Sequence, residues 1–487
     1  MKSTVPVLLR GAIGVALAVA LLPASRPSAQ RADQAPLAGP SATPMAKLSP
    51  DGKKVLTLAD YGPWKRITST ALSDDGKWMT YTLSPNDGDE TLVVKQLDGD
   101  TSYTVPIGLP AAGGRGGGGR GAGAGASVQF SDDGRWIAYY VNPPSPPAGR
   151  GRGTAAGAGG GAGQAPGQGG GRGGGRTGAA AGGGATGGAA ARRLELLDLT
   201  NGNKVAVPNA GGFQFSKGSQ WLAIKMNAMN AAPASETAAG ANGRGTDLVL
   251  RKLATGATQN IGNVSQYEFN DAGSWLAYAV DAENHLGNGV YAVNLATGDT
   301  RALDNAALTY DGLAWAEGSK SLVALRGDTP KGKTQRENAL VVWSDASQSA
   351  ATVWDPSTDA SFPKDYVLSE ASAPRWTRDG ARVFIGIKPQ SDAVVESSEP
   401  KANLDIWHWQ DVELQSEQIL RVAQERRATY ASVFTVGPVG SKSFVRLTDN
   451  PLETITPTAN GLVAIARDPG PYDHDFSEGQ PSRADYY

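Results

Sequence analysis

One dodecamer constrains this chain more than any other feature. "FSDDGRWIAYYV" (130–141) is an aromatic residue, a polar Asp-Asp-Gly turn, and a short apolar run opened by Trp136. It returns as "LSDDGKWMTYTL" from Leu72, "FSKGSQWLAIKM" from Phe215 and "FNDAGSWLAYAV" from Phe269, and in looser form from Trp315 and Trp376. The starts are 58, 85, 54, 46 and 61 residues apart. Two of the intervals contain nearly pure Gly/Ala tracts, 111–126 and 148–191, of 16 and 44 residues. Without them the first two intervals become 42 and 41, close to the 46 of an interval with no insert. A period of about 40–45 residues is that of a four-stranded propeller blade.

The strands of one period can be read between Asn263 and Leu303. "NVSQYEF" is a first strand, "NDAGS" a turn in which Gly takes positive φ, and "WLAYAV" a strand covered on both faces. "VYAVNL", the turn "ATGD" and "TRALD" complete the unit. The third strand with its turn also recurs, as "LVVKQLDGD", "LELLDLTNGN" and "LVLRKLATGA". Two motifs in fixed order at one period predict an all-β fold: a β-propeller of about six to seven four-stranded blades over 55–487, incomplete at its C-terminal end. The glycine tracts are then loop insertions in the array. One helix is expected over 412–428, with strands at 430–436, 444–447 and 461–466.

The repeated residues read as scaffold. Trp78, Trp136, Trp221 and Trp275 share one repeat position and are expected to pack between neighbouring blades, with Ala138, Ala223 and Ala277 two residues on letting sheets approach. Asp74, Asp75, Asp132 and Asp133 lack the alternating donors of a calcium loop and are ordinary turn residues.

The first thirty residues have the layout of a secretory signal: Lys2 and Arg10, then the twelve-residue apolar run 11–22, then a small-residue site near Ala29. That run is short for a membrane span. Residues 31–54 read as a flexible lead-in, and the mature protein as periplasmic or secreted, with no membrane partner after signal removal. There is no Cys, so no disulfide, lipidated Cys or thiol nucleophile. Net charge is −2, which gives no reason to expect nucleic acid; the arginines of the glycine tracts (Arg115, Arg120, Arg150, Arg152, Arg172, Arg176) have no aromatic neighbours to stack bases.

The repeated "SxDGxW" turns, "LTLADYGPWKRI" (56–67) and "DIWHWQD" (405–411) before an Arg- and Gln-rich helix resemble the N-terminal propeller of secreted bacterial peptidases of the prolyl oligopeptidase family. The resemblance covers roughly residues 55 to 487. It implies a propeller that limits access to a following α/β-hydrolase domain with a Ser, Asp and His triad. No Ser here has Gly at both minus two and plus two, the elbow such a domain needs. The three histidines do not supply a triad: His285 falls in a blade loop, His408 is expected to pack or lie on an edge strand, and His474 in "YDHD" is poor support for a metal. Glu413, Glu417 and Glu425 on the expected helix do not match the acidic cluster with which some relatives hold a substrate amino group. No catalytic, cofactor-binding or metal residue is therefore assigned, and no cofactor is expected. The sequence reads as the propeller portion of an exported peptidase, non-catalytic as it stands, with peptides or a separate hydrolase domain as partner. The alternative is a free-standing periplasmic propeller that binds a protein. A propeller enzyme with its own channel site has no clustered residues to support it.

Overall fold

The computed structural model describes residues 51, 56–57, 60–62, 64–109, 128–144, 192–228, 245–348, 350–393, 408, 415–437, 444–451, 454–458, 460–472 and 483–487. The expected signal, most of the lead-in, both glycine tracts, His474 and all of "DIWHWQD" but His408 lie outside them. Two units are distinguished, Met1–Leu58 and Ala59–Tyr487. All strands among the described residues belong to the second.

The strands pair antiparallel in chain order and fall into meanders. The first is β1 (Lys65–Leu72), β2 (Trp78–Pro85), β3 (Glu90–Gln96) and β4 (Ser102–Gly108); the second is β5 (Val128–Phe130), β6 (Trp136–Val141), β7 (Arg193–Asp198) and β8 (Lys204–Pro208). The third is β9 (Ala210–Phe215), β10 (Trp221–Met226), β11 (Thr246–Lys252) and the start of β12 (Thr258–Phe269). β12 pairs with β11 through residues 258–264 and with the next strand through 264–269. It thereby ends one meander and opens the fourth, which continues with β13 (Trp275–Val280), β14 (Gly289–Asn294) and β15 (Thr300–Asn305).

The fifth meander is β16 (Thr309–Trp315), β17 (Leu322–Asp328), β18 (Glu337–Trp343) and β19 (Ala351–Trp354). In the sixth the first strand is split into β20 (Tyr366–Leu368) and β21 (Arg375–Trp376), both on β22 (Arg382–Pro389), followed by β23 (Tyr430–Thr435) and β24 (Phe444–Arg446). A three-stranded sheet closes the sequence: β25 (Thr454–Pro457), β26 (Ala464–Asp468) and β27 (Asp485–Tyr486). The one α-helix among the described residues, α1 (Gln415–Glu425), ends short of the expected 428 and leaves Ile419 and Leu420 exposed.

Each pair of adjacent meanders shares one apolar core. Trp78, Leu92 and Val94 of the first meet Phe130, Ile137 and Tyr139 of the second. Trp136 and Leu196 of the second meet Phe213 and Leu222 of the third, and Leu248 of the third meets Tyr267 and Leu276 of the fourth. Trp275 and Ala277 of the fourth meet Tyr310 and Trp343 of the fifth, whose Val323 and Leu340 meet Val383 and Phe434 of the sixth. Four-stranded meanders stacked face to face in chain order are propeller blades. A strand between two such cores is apolar on both faces, and β6 is buried at all six positions. Ala138, Ala223 and Ala277 are fully buried, and Trp78, Trp136 and Trp275 lie in the cores toward the following blade.

The turn between the first two strands is one hydrogen-bonded device. Ser131 Oγ donates to Asp133 Oδ1 at 2.6 Å and accepts from Trp136 N at 2.9 Å, while Arg135 N donates to the same carboxylate oxygen. Ser73, Asp75 and Trp78 repeat this, as do Thr377, Asp379 and Arg382. Thr458, Asn460 and Val463 make the same set, with Gly461 at φ +64°. β25 and β26 are thus the first two strands of a further copy. It is hidden in the sequence because Asn replaces Asp and Val replaces Trp.

Candidate functional site

The first strands of successive blades lie side by side, β1 with β5, β12 with β16, and β16 with β21. Two indoles lock this inner layer: Trp315 Nε1 donates to Glu268 O at 3.0 Å, and Trp376 Nε1 donates to Ala314 O at 2.9 Å. The turns stand at one end of these strands. At the other end, where first and third strands begin and second strands finish, polar side chains from four consecutive blades converge.

Lys225, near the end of β10, donates from Nζ to Ser265 O on β12. The neighbouring Gln266 donates from Nε2 to Asp311 Oδ1 at 3.0 Å and accepts from Leu313 N at 3.3 Å. Asp311 sits at a bulge of β16, where Gly312 takes φ +67°. A bulge re-aims the side chain beside it. A Cβ on Gly312 would lie 2.5 Å from Pro374 Cδ, so the glycine also lets the sixth blade approach. Arg336, just before β18, donates from Nη2 to Asp311 Oδ2, and Glu370 Oε2 is 3.7 Å from the same nitrogen. Asn338 donates from Nδ2 to Leu368 O at 2.8 Å and to Glu370 Oε2 at 3.1 Å.

The four charged groups balance as two cations and two carboxylates. Burial raises Asp311 above the usual carboxylate range; Arg336 opposes this and Glu370 and Asp281 reinforce it. Burial likewise depresses Lys225, with Asp311 pulling the other way. The Arg336 side chain is 4% exposed, and its Nε and Nη1 have no hydrogen-bond partner, nor has Asn338 Oδ1. Unmet buried donors and acceptors are costly, and they concentrate here. On β12, two residues past Gln266, Glu268 also has an oxygen, Oε2, sealed from solvent without a partner; burial pushes its carboxyl up to about 7. Guanidinium and amide N–H donors beside carboxylate acceptors match the C=O and N–H groups of a peptide backbone.

None of these residues was singled out from the sequence. They come from different blades and from positions the repeat does not reproduce. The only trace is polarity where a strand is otherwise apolar, as in "WLAIKM" and "LTYDGLAW". The histidines, turn aspartates and helix glutamates among the described residues lie elsewhere. His285 takes a short 3₁₀ turn with Nδ1 at 2.9 Å from Asn288 Nδ2, and Glu425 ends α1 in solvent. His408 is exposed, and its neighbours in "DIWHWQD" lie outside the described residues. Asp75 and Asp133 serve the turns. Among the described residues no group of three or more His, Cys, Asp or Glu is placed to hold a metal, and no helix is long and apolar enough to cross a membrane.

No protein-family profile matches the sequence, and no curated protein matches it. Solved structures do. Prolyl oligopeptidase B from Galerina marginata aligns at 10% identity over 85% of this chain and 47% of its own, with a TM-score of 0.36. An oligogalacturonate lyase in complex with manganese aligns at 10% identity over 82% and 84%, with a TM-score of 0.33. The β-propeller domain of the Trilobed protease from Pyrococcus furiosus aligns at 8% identity over 84% and 90%, with a TM-score of 0.32. Likenesses at this level assign neither family nor activity.

Proposed function

We propose that this chain is the propeller portion of an exported prolyl oligopeptidase-like peptidase, and that it governs which peptides reach a hydrolase domain. The observation that carries this reading is the polar cluster Lys225, Gln266, Asp311, Arg336, Asn338 and Glu370. It draws on four consecutive blades at one end of the inner strands, with donors and acceptors unmet inside the protein. The repeated turns and the "LTLADYGPWKRI" segment support it from the sequence. The role is binding rather than bond cleavage, because the cluster contains no nucleophile paired with a base. Export rests on the layout of residues 1–30.

The test is peptide binding by the purified chain, followed by fluorescence anisotropy with a panel of short labelled peptides. Binding is expected, and E370Q, which removes a partly exposed carboxylate, is expected to weaken it several-fold while leaving the unfolding midpoint in place. No binding by any peptide would refute the reading. Peptide turnover by the chain alone, blocked by a serine reagent, would refute its non-catalytic part.

A further inference from the structure

A groove of about 480 Å³ runs between the first and second blades at their turn end, the opposite end from the polar cluster. It is lined by Trp78, Tyr103, Gln96, Thr101, Thr200 and Asn201, and no charged residue lines it. Its volume is in the range of small-molecule sites. The strand ends that flank both glycine tracts stand at the other end of these blades.

The first blade departs from the others beside its repeated Trp. Gln96 stands opposite Trp78 in the ladder, as Asp198, Lys252 and Asn294 stand opposite Trp136, Trp221 and Trp275. Those three side chains are engaged within their own blades. Asp198 accepts from Arg135, Asn294 accepts from Ala296 N, and Lys252 Nζ lies 5.7 Å from the Trp221 ring centroid. The Gln96 amide and the Thr101 hydroxyl have no hydrogen-bond partner among the described residues. Trp136 and Trp275 also carry cations, Arg135 at 5.1 Å and Lys320 at 5.9 Å. Trp78 is stacked on Tyr103 instead, with ring centroids 6.0 Å apart at 27°. Tyr103 OH donates to Leu199 O at 3.3 Å, which ties the second ring to the next blade. The facing wall is preset too. Thr200 Oγ1 donates to Asp198 Oδ1 at 2.6 Å and Asn201 Nδ2 to Asp198 Oδ2 at 3.1 Å. The Thr200 oxygen is left as an acceptor and one Asn201 N–H as a donor.

We propose that this groove is a carbohydrate-binding site that takes a neutral sugar unit. Amides and hydroxyls that donate and accept match the hydroxyls of a sugar ring. The aromatic pair matches its apolar C–H face. A uronic acid or a free amino sugar would give up water there without gaining a charged partner, so the uncharged lining selects against both. The site is independent of the peptide-binding reading.

The test is calorimetric titration of the full chain with maltotriose, cellotriose and triacetylchitotriose, and with trigalacturonic acid and the chitosan trimer as charged counterparts. At least one neutral trisaccharide is expected to bind. Q96A should weaken that binding about fivefold, the effect of losing one hydrogen-bonded amide. Q96K, which gives the first blade the cation of the third, should abolish it. Neither variant should move the unfolding midpoint or alter peptide binding, so failure here leaves the peptide reading standing. The proposal is overturned if no neutral trisaccharide binds, if both variants bind as well as wild type, or if the charged counterparts bind equally.

Discussion

Glu268 offers the sharpest test of how the inner strands are built. Its carboxyl is held among β12 and its neighbours with Oε2 sealed and unpartnered, and burial lifts it from an ordinary 4.5 to about 7. The backbone N–H of Trp315, which favours the charged carboxylate, opposes this only in part. A raised value means that the fold favours the protonated form. The stability tied to that form is fully present below 4.5 and is lost as pH rises through about 7. A shift of this size corresponds to about 3 kcal/mol.

The perturbation is E268Q, which keeps the shape and removes the charge. The new amide leaves a buried polar atom poorly partnered, at a cost of about 1–3 kcal/mol, but that cost does not vary with pH. The informative quantity is therefore the difference between variant and wild type at pH 8.5 minus the same difference at pH 4.5. Urea unfolding followed by tryptophan fluorescence would measure it. E268Q should gain about 2–3 kcal/mol relative to wild type across that range, most of it between pH 5 and 7. Parallel pH profiles for the two proteins would refute the reasoning, because Glu268 would then be as well solvated folded as unfolded.

Three further outcomes are expected. W343A empties the largest fully buried side chain, between the fourth and fifth blades, and breaks the bond from Nε1 to Leu303 O; it should cost about 3–5 kcal/mol by urea midpoint. G273A places a Cβ at φ +63° and 2.1 Å from Lys217 O in the neighbouring turn, so it should destabilise the protein by about 1–3 kcal/mol. R336M strands Asp311 without its cation and should cost about 3–5 kcal/mol, whereas R336M/D311L should recover most of that, a coupling readable in a double-mutant cycle.

How much was legible in the sequence follows from what repeats. The Ser-x-Asp-Gly turn and the Trp that follows it are local: four residues close their own hydrogen bonds, and the strand after them is apolar because it lies between two sheets. Local causes recur with the period, so blades, strand order and the packing role of Trp78, Trp136 and Trp275 could be read without coordinates. The copy at Thr458 escaped because its Asn460 makes the Asp bonds without the Asp, and Val463 holds the place of Trp. The polar cluster was out of reach for a different reason. Lys225, Gln266, Asp311, Arg336 and Glu370 are separated by up to 145 residues and belong to four blades, each breaking the pattern at its own position. Only the stacking of inner strands, with a bulge at Asp311, brings them together. The sequence by itself determined the unit and its order, because those depend on turns and strands that recur within each unit. The tertiary structure alone decided which polar residues meet, because that depends on how one blade lies against the next.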